Sequence, residues 1–476
     1  MDMVTVGDPK MTIGGQAAPT TDFVEVINPS TAEPFVKAPV ANPMQVNDAV
    51  AAAKAAFPAW STTPIAERQQ LVRAFAAKLR ENIDILAHML TSEQGKPINN
   101  AKGEINGAIA TMESYCDLDL DPVVIRDKPE QFVELRRRPL GPVAAITAWN
   151  YPVLLCLWKL GPCLVAGNTV VVKPALVTPL ATLKIGEIAR EIFPAGVVNV
   201  INGGNEVGAA LVTHPDIRKI AFTGSTATGK RIMADAAPTL KRLTLELGGN
   251  DAGIVLPDVD PKKFANDIFW AKFSNCGQVC AALKRLFVPD SLHDALIAEM
   301  IEIARSVKIG DGFADGIQMG PIQNAAQHAR LVALVEDAKA KGATVLHVGE
   351  VPDGPGYWFP ITLLGDVPSN ADIVHEEAFG PILTVYRYSD PEDALARANA
   401  SQFGLGASVW TSDVGAGAAL AERMEAGSTW VNQHPSMGPD IPFGGVKQSG
   451  LGVEGARWGL EEYTSVHVVN VKKVGP

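Results

Sequence analysis

The chain of 476 residues is long enough for about two to four domains, and its 47% hydrophobic and 20% charged residues can fill large cores. Against 41 Lys and Arg stand 52 Asp and Glu, a formal net charge of −11, which repels nucleic acid and anionic membrane and removes both as expected partners. Five scattered cysteines are wrong for a secreted disulfide framework, and eight histidines without paired spacing hold no metal site.

The opening MDMVTVGDPK lacks a basic stretch followed by an apolar core, so no secretory signal is expected. The most apolar stretch, 142–158, is interrupted by Asn150 and Pro152 and runs into Lys159, whereas a membrane helix needs about 20 uninterrupted apolar residues. A cytoplasmic protein with reduced thiols is expected.

Residues 44–116 read as helices: Leu71, Phe75 and Leu79 recur at helical spacing, and Pro64 marks a helix start. Two alternating runs around Asp127-Lys128-Pro129-Glu130 predict a hairpin, polar enough to project from the body. From Gly141 to Glu246, the apolar runs VAAITA, TVVVKP, VVNVING, IRKIAFTG and KRLTLE alternate with helical stretches. That is the pattern of βαβ units around a parallel sheet, and such sheets bind ligands at the carboxyl ends of their strands. Asn150, Lys173, Gly224 and Glu246 each end or follow a strand candidate. A second alternating region spans about 250–445, through AGIVLP, RLFVPD, GATVLH, ILTVYRY and STWVN, and the chain closes on EYTSVHVVNVKK, patterned as an exposed strand in want of a partner.

Several residues then stand out chemically. Cys280 follows a Gly-Gln pair in FSNCGQVCAA; thiolates are strong nucleophiles, although an unpaired cysteine is more often a small buried apolar residue. Glu246 in LTLELGGND ends a strand ahead of two glycines, where a carboxylate can activate water. Asn150 in AWNYP is an amide donor held before a proline, suited to an oxyanion or merely to its own turn. FTGSTATGK follows a strand and opens a helix, a phosphate cradle in geometry but neither G-x-G-x-x-G nor Walker A.

Taken in order, Asn150, Lys173, Gly224-Ser225-Thr226, Glu246 in Glu-Leu-Gly-Gly, Cys280 in Gly-Gln-x-Cys, Glu377 in HEEAFGP and the PFGG at Pro442 resemble the aldehyde dehydrogenase superfamily over nearly the whole chain. The resemblance implies an NAD(P)-dependent enzyme that makes a thiohemiacetal and then a thioester on Cys280, with Asn150 and the Cys280 N–H at the oxyanion and Glu246 activating water, buried in part. It also implies cofactor contacts from Trp149, Lys173, Gly224, Ser225, Thr226, Gly229, Leu247, Glu377 and Phe379. Its substrate tunnel would be lined by Tyr151, Leu155, Trp158, Val279, Ala281 and Met437, with His434 on a neighbouring loop, a mostly apolar wall suited to a hydrophobic or aromatic aldehyde.

The implied architecture is α/β: a Rossmann-like cofactor domain (1–118 and 139–247), a second α/β catalytic domain (248–447), and a β-flap for oligomerisation (119–138 and 448–476) that makes a homodimer or homotetramer. Leu176 stands where NAD-preferring relatives often carry Glu, and Ala227 where many have Glu. Either NAD or NADP is therefore expected, with NAD ahead. Cys276 reads as a small filler before a redox partner of Cys280. A coenzyme A-dependent acylating enzyme and a semialdehyde dehydrogenase are the alternatives, and Glu246 argues against the first.

Overall fold

The computed structural model describes residues 7–473; residues 1–6, on which part of the reading of the amino terminus rests, lie outside it. Four helices, Pro43–Thr62, Ile65–Glu81, Ile83–Gln94 and Ile98–Ser114, occupy the predicted helical region, with Pro64 capping the second. Phe75 and Leu79 are fully buried on its inner face. Four short strands before them, Met11–Ile13, Gln16–Ala18, Phe23–Asn28 and Glu33–Pro39, carried no clear period in the sequence.

The five strand candidates of the middle region form the parallel heart of an eight-stranded sheet, in the order Val198–Val200, Thr169–Lys173, Pro142–Ile146, Lys219–Thr223, Arg242–Glu246. Almost every residue of these strands is buried, as expected of a sheet covered on both faces. Register aligns their carboxyl ends: Lys173 pairs with Ile146, Ile146 with Phe222, and Thr223 with Glu246. The residues after each strand therefore emerge along one edge.

The second sheet has seven strands, ordered Thr344–Val348, Thr362–Gly365, Ile382–Tyr388, Leu283–Pro289, Asp251–Val255, Gly406–Trp410, Ser428–Val431. All neighbours run parallel except the first pair. Each sheet lies in its own apolar cluster, so the chain builds two α/β cores. The predicted hairpin is Val123–Lys128 and Gln131–Pro139, and Thr464–Lys472 pairs along the second of these. Other parts of 448–476 sit elsewhere: Gly450–Leu451 joins the first sheet beside Arg242–Glu246, and helix Ala456–Glu461 packs on helix Pro152–Val165.

Leu247-Gly248-Gly249-Asn250 carries the chain from one sheet to the other, and this crossing is crowded. A Cβ on Gly249 would lie 2.8 Å from the Cys280 carbonyl oxygen, 2.5 Å from Asp251 Oδ1 and 3.0 Å from Leu405 Cβ. A Cβ on Gly248 would meet chiefly Glu377 Oε2, at 2.5 Å, a side-chain atom and not a backbone one. Gly249→Ala is therefore expected to destabilise the fold by about 1–3 kcal/mol, and Gly248→Ala by less. Thermal melting of the two variants checks the order.

Candidate active site

At the carboxyl edge of the first sheet a cavity of about 420 Å³ opens against the second. Asn150, Tyr151, Leu155 and Trp158 enter it from the start of helix Pro152–Val165, Gly224 and Ser225 from the end of strand Lys219–Thr223, and Val279 and Cys280 from the loop before strand Leu283–Pro289. Trp149, Leu247, Glu377, Phe379 and Met437 complete the set that sequence reasoning had named. Trp149 and Phe379 meet edge to face, ring centroids 5.2 Å apart.

The other named residues lie outside this cavity. Lys173 is buried behind it and donates to Pro174 O at 2.9 Å; burial lowers its amine to about 8, with Glu206 opposing. Thr226 opens helix Thr226–Ala236 and its hydroxyl donates to Gln448 O at 3.2 Å. Gly229 lets that helix press on Leu247, since a Cβ there would lie 2.6 Å from Leu247 Cδ2. Ala281 is fully buried among Trp158, Leu405, Trp430 and Phe443. His434 is buried against Trp430, its Nε2 3.7 Å from Asp251 Oδ2, and faces a neighbouring cavity that shares Tyr151, Val279 and Pro435 with the first.

Cys280 sits on a turn between the segment Ser274–Gly277, where Asn275 and Cys276 take left-handed backbone angles, and the strand that follows, with no helix start beneath it. Lys284 holds this turn from below: its fully buried Nζ donates to Cys280 O and Val279 O and pairs with Glu377 Oε1 at 3.0 Å. Burial pushes the Cys280 thiol up to about 12; Lys284 opposes the shift, while Glu246, Glu377 and Asp251 add to it. The thiol therefore rests protonated. Opposite, Asn150 Nδ2 donates one hydrogen to Gln278 O at 3.0 Å, which fixes the amide and leaves its second hydrogen to point elsewhere.

Glu246 is 3% exposed, deeper than the partial burial expected, because its strand is paired on both sides, with Thr223 and Gly450 as its neighbours. Its Oε1 makes no hydrogen bond among the described residues. Burial raises its carboxyl well above the ordinary 4.5, Glu454 raises it further, and Lys159 opposes. Lys159, itself fully buried, bonds Glu454 Oε1 at 2.7 Å and Thr223 Oγ1 at 2.8 Å.

Lys284, Lys159 and Glu454 went unnoticed in the sequence, since nothing local separates a buried lysine from a surface one. The PFGG block lay close to the needed signal, for Glu454 follows it by a few residues and Phe443 lines the cavity.

Of five free cysteines four are buried, and Cys280 is half-buried on the cavity wall. Iodoacetamide is expected to label Cys280 alone, at a rate that climbs about tenfold per pH unit above neutrality as thiolate forms. Peptide mass mapping with a pH series checks both, and a rate already level at neutral pH would contradict the raised thiol.

A sequence profile of the aldehyde dehydrogenase family matches residues 16–469. The chain is similar to aldehyde dehydrogenase LUC3 of Fusarium sp, 38% identical over 463 residues that cover 97% of this chain and 98% of that one. It is similar in structure to an NADP dependent enzyme of E. coli, with a TM-score of 0.95, 34% identity, and 98% and 99% of the two chains covered. A betaine aldehyde dehydrogenase of Staphylococcus aureus, solved in complex with NAD+, superposes with a TM-score of 0.94 at 30% identity, covering 98% of this chain and 95% of that one. The strand-end cavity, the glycine crossing and the cysteine turn thus belong to a chain that is a member of the aldehyde dehydrogenase family, an oxidoreductase.

Proposed function

We propose that this enzyme oxidises hydrophobic or aromatic aldehydes to carboxylic acids through Cys280, with hydrolysis by water rather than transfer to coenzyme A. The observation that carries the substrate class is the cavity wall. Tyr151, Leu155, Trp158, Met437 and Phe443 give it an aromatic and apolar surface, and its lining includes Glu377 but neither Arg nor Lys. A substrate with a second carboxylate would lose its water there and gain no cation in return.

In this reading the Cys280 sulfur attacks the aldehyde carbon, and the new oxyanion accepts hydrogen bonds from the free Nδ2 hydrogen of Asn150 and from the Cys280 N–H. The thiol must first lose its proton, and a carboxylate held above its ordinary range, as Glu246 is, is a matched acceptor. The residues fit a dinucleotide: helix Thr226–Ala236 begins at the cavity mouth beside Gly224 and Ser225, a phosphate-binding arrangement, and the Glu377 carboxylate on the same wall would accept from ribose hydroxyls. A nicotinamide dinucleotide held there supplies the hydride acceptor that turns the adduct on Cys280 into a thioester. Glu246, once it has passed the thiol proton on to solvent, takes a proton from the water that releases the acid. Leu176 offers no carboxylate to a ribose and no cation to a 2′-phosphate, so NAD is favoured and NADP accepted.

The three-stranded sheet is proposed as the subunit contact of a homodimer or homotetramer, because Val123, Val124, Ile125, Val466 and Val468 are all about half exposed on it. Five free thiols suit a reducing cytoplasm, and no helix among the described residues is long and apolar enough to cross a membrane.

An aldehyde panel with both dinucleotides and without coenzyme A tests the function. Benzaldehyde is expected to give acid with a kcat/KM well above that of succinic semialdehyde, and the reverse order would overturn the substrate reading. Cys280→Ser is expected to abolish oxidation while cofactor binding remains measurable.

The raised Glu246 carboxyl is ionised only above the ordinary carboxylate range. Where hydrolysis limits turnover, kcat is therefore expected to rise with pH through that higher window. Glu246→Gln is expected to slow the single burst of reduced dinucleotide, since the thiol loses its proton acceptor, to lose steady turnover by about 10²–10⁴-fold, and to lose the pH-dependent rise; stopped-flow absorbance separates these.

A further inference from the structure

The segment EQGKPINNAKGE, residues 93–104, contributes nothing to the cavity wall, yet it holds the residues that do. Lys96 lies in the link between helices Ile83–Gln94 and Ile98–Ser114, and Glu104 is in the second turn of the latter. Their side chains are 2% and 1% exposed, and Lys96 Nζ is 2.5 Å from Glu104 Oε2. The other oxygen, Glu104 Oε1, accepts hydrogen bonds from Val153 N at 3.0 Å and Leu154 N at 3.1 Å, the first turn of helix Pro152–Val165. Lys96 Nζ also donates to Asn150 O at 3.0 Å and stands 3.9 Å over the Tyr151 ring.

One buried ion pair thus grips the Asn150 carbonyl, the Tyr151 ring and the helix start behind them. The second core reaches the same carbonyl, through Asn275 Nδ2 at 3.0 Å. The turn that delivers Lys96 is itself confined: Gly95 has a φ of 92°, and a Cβ there would lie 2.8 Å from Pro29 Cγ and from Pro321 Cγ. A buried ion pair is a poor source of stability, since desolvation cancels much of the attraction and an apolar pair of the same volume does as well. What it supplies is direction, because its donors and acceptors point one way and cannot relax into water.

We propose that Lys96 and Glu104 are positioning residues for the oxyanion donor, their ion pair holding the Asn150 backbone so that its amide meets the carbonyl attacked by Cys280. This rests on the reading of Asn150 as that donor. Displacement of a reacting group by about 1 Å can cost about 10²-fold in rate, so the clamp is expected to act on the chemical step and not on cofactor binding.

The test is a double-mutant cycle on the full-length enzyme, reading the single-turnover rate of reduced dinucleotide, the cofactor Kd and the melting temperature. Lys96→Met is expected to slow the single turnover by about 10–100-fold with the cofactor Kd unchanged. Lys96→Met with Glu104→Gln, which leaves no stranded carboxylate, is expected to do the same and carries the test should the single variant fold poorly. In an Asn150→Ala background Lys96→Met is expected to add less than about twofold, because the donor it positions is gone. Losses that multiply fully with Asn150→Ala would overturn the proposal, as would wild-type rates in both Lys96 variants while Asn150→Ala is slow. A wild-type rate in Asn150→Ala itself would instead remove the oxyanion reading, and the proposal with it.

Discussion

The whole site depends on two backbones passing almost within van der Waals contact, where Gly249 crosses the Cys280 carbonyl. Neither sheet alone makes a reaction centre. The first presents a row of strand ends aligned by register, with Asn150, Gly224 and Glu246 along it. The second presents a turn with a thiol. The glycine crossing sets the gap between them, and any side chain at 249 would open it. Lys284 secures the far side by bonding two consecutive carbonyls of the cysteine turn and the Glu377 carboxylate. One contact therefore joins the proposed nucleophile, the chain crossing and the proposed ribose holder, so a change in any of them is felt by the others.

Around that junction desolvation outweighs every pairwise charge. It is the largest cause of the shift at Cys280, Glu246, Lys173 and Asp251 alike, and in each it favours the neutral form. A chain of net charge −11 nevertheless places Lys159, Lys272 and Lys284 wholly inside. Their amines do not go unbonded: Lys159 has Thr223 and Glu454, Lys272 the Ala378 carbonyl, and Lys284 two carbonyls and Glu377. The acids are less well served: Glu246 Oε1, Glu454 Oε2 and both oxygens of Asp251 are buried without a hydrogen-bond partner among the described residues, a costly arrangement.

Much of this was legible in the sequence wherever the signal is local. Apolar runs ending in a polar residue marked all five strands of the first sheet's parallel heart, and 3.6-residue spacing marked the helices of 44–116. The small strand Gly406–Trp410 escaped because GASVW has little of the bulk that strands advertise, although all five residues are buried. The four amino-terminal strands are short and partly exposed, and their period is weak. Long-range pairs were the greater loss. Lys159 and Glu454 are 295 residues apart, and Lys96 finds Asn150 across 54. Ala281 and His434, which the resemblance places at the tunnel, are not in the cavity lining, although His434 lines the adjoining cavity.

Cys276 and Cys280 show why residue type alone could not have singled out the proposed nucleophile. Four residues apart, both thiols are pushed up to about 12 by burial, so acidity does not tell them apart in the resting enzyme. Their surroundings do. Cys276 has a left-handed φ of 57° and packs with the apolar cluster of the second sheet, 1% exposed, where a small side chain is what fits. Its only neighbouring charge of consequence is Lys272, whose amine is turned to the Ala378 carbonyl. Cys280 lies where the two cores meet, on a wall shared with Asn150 and Glu377. With the thiol pushed up by its surroundings, the proposed mechanism places reactivity in the partners that stabilise sulfur attack as it happens: an acceptor for the proton, a donor for the oxyanion, and a backbone held still enough for both to be in place at once.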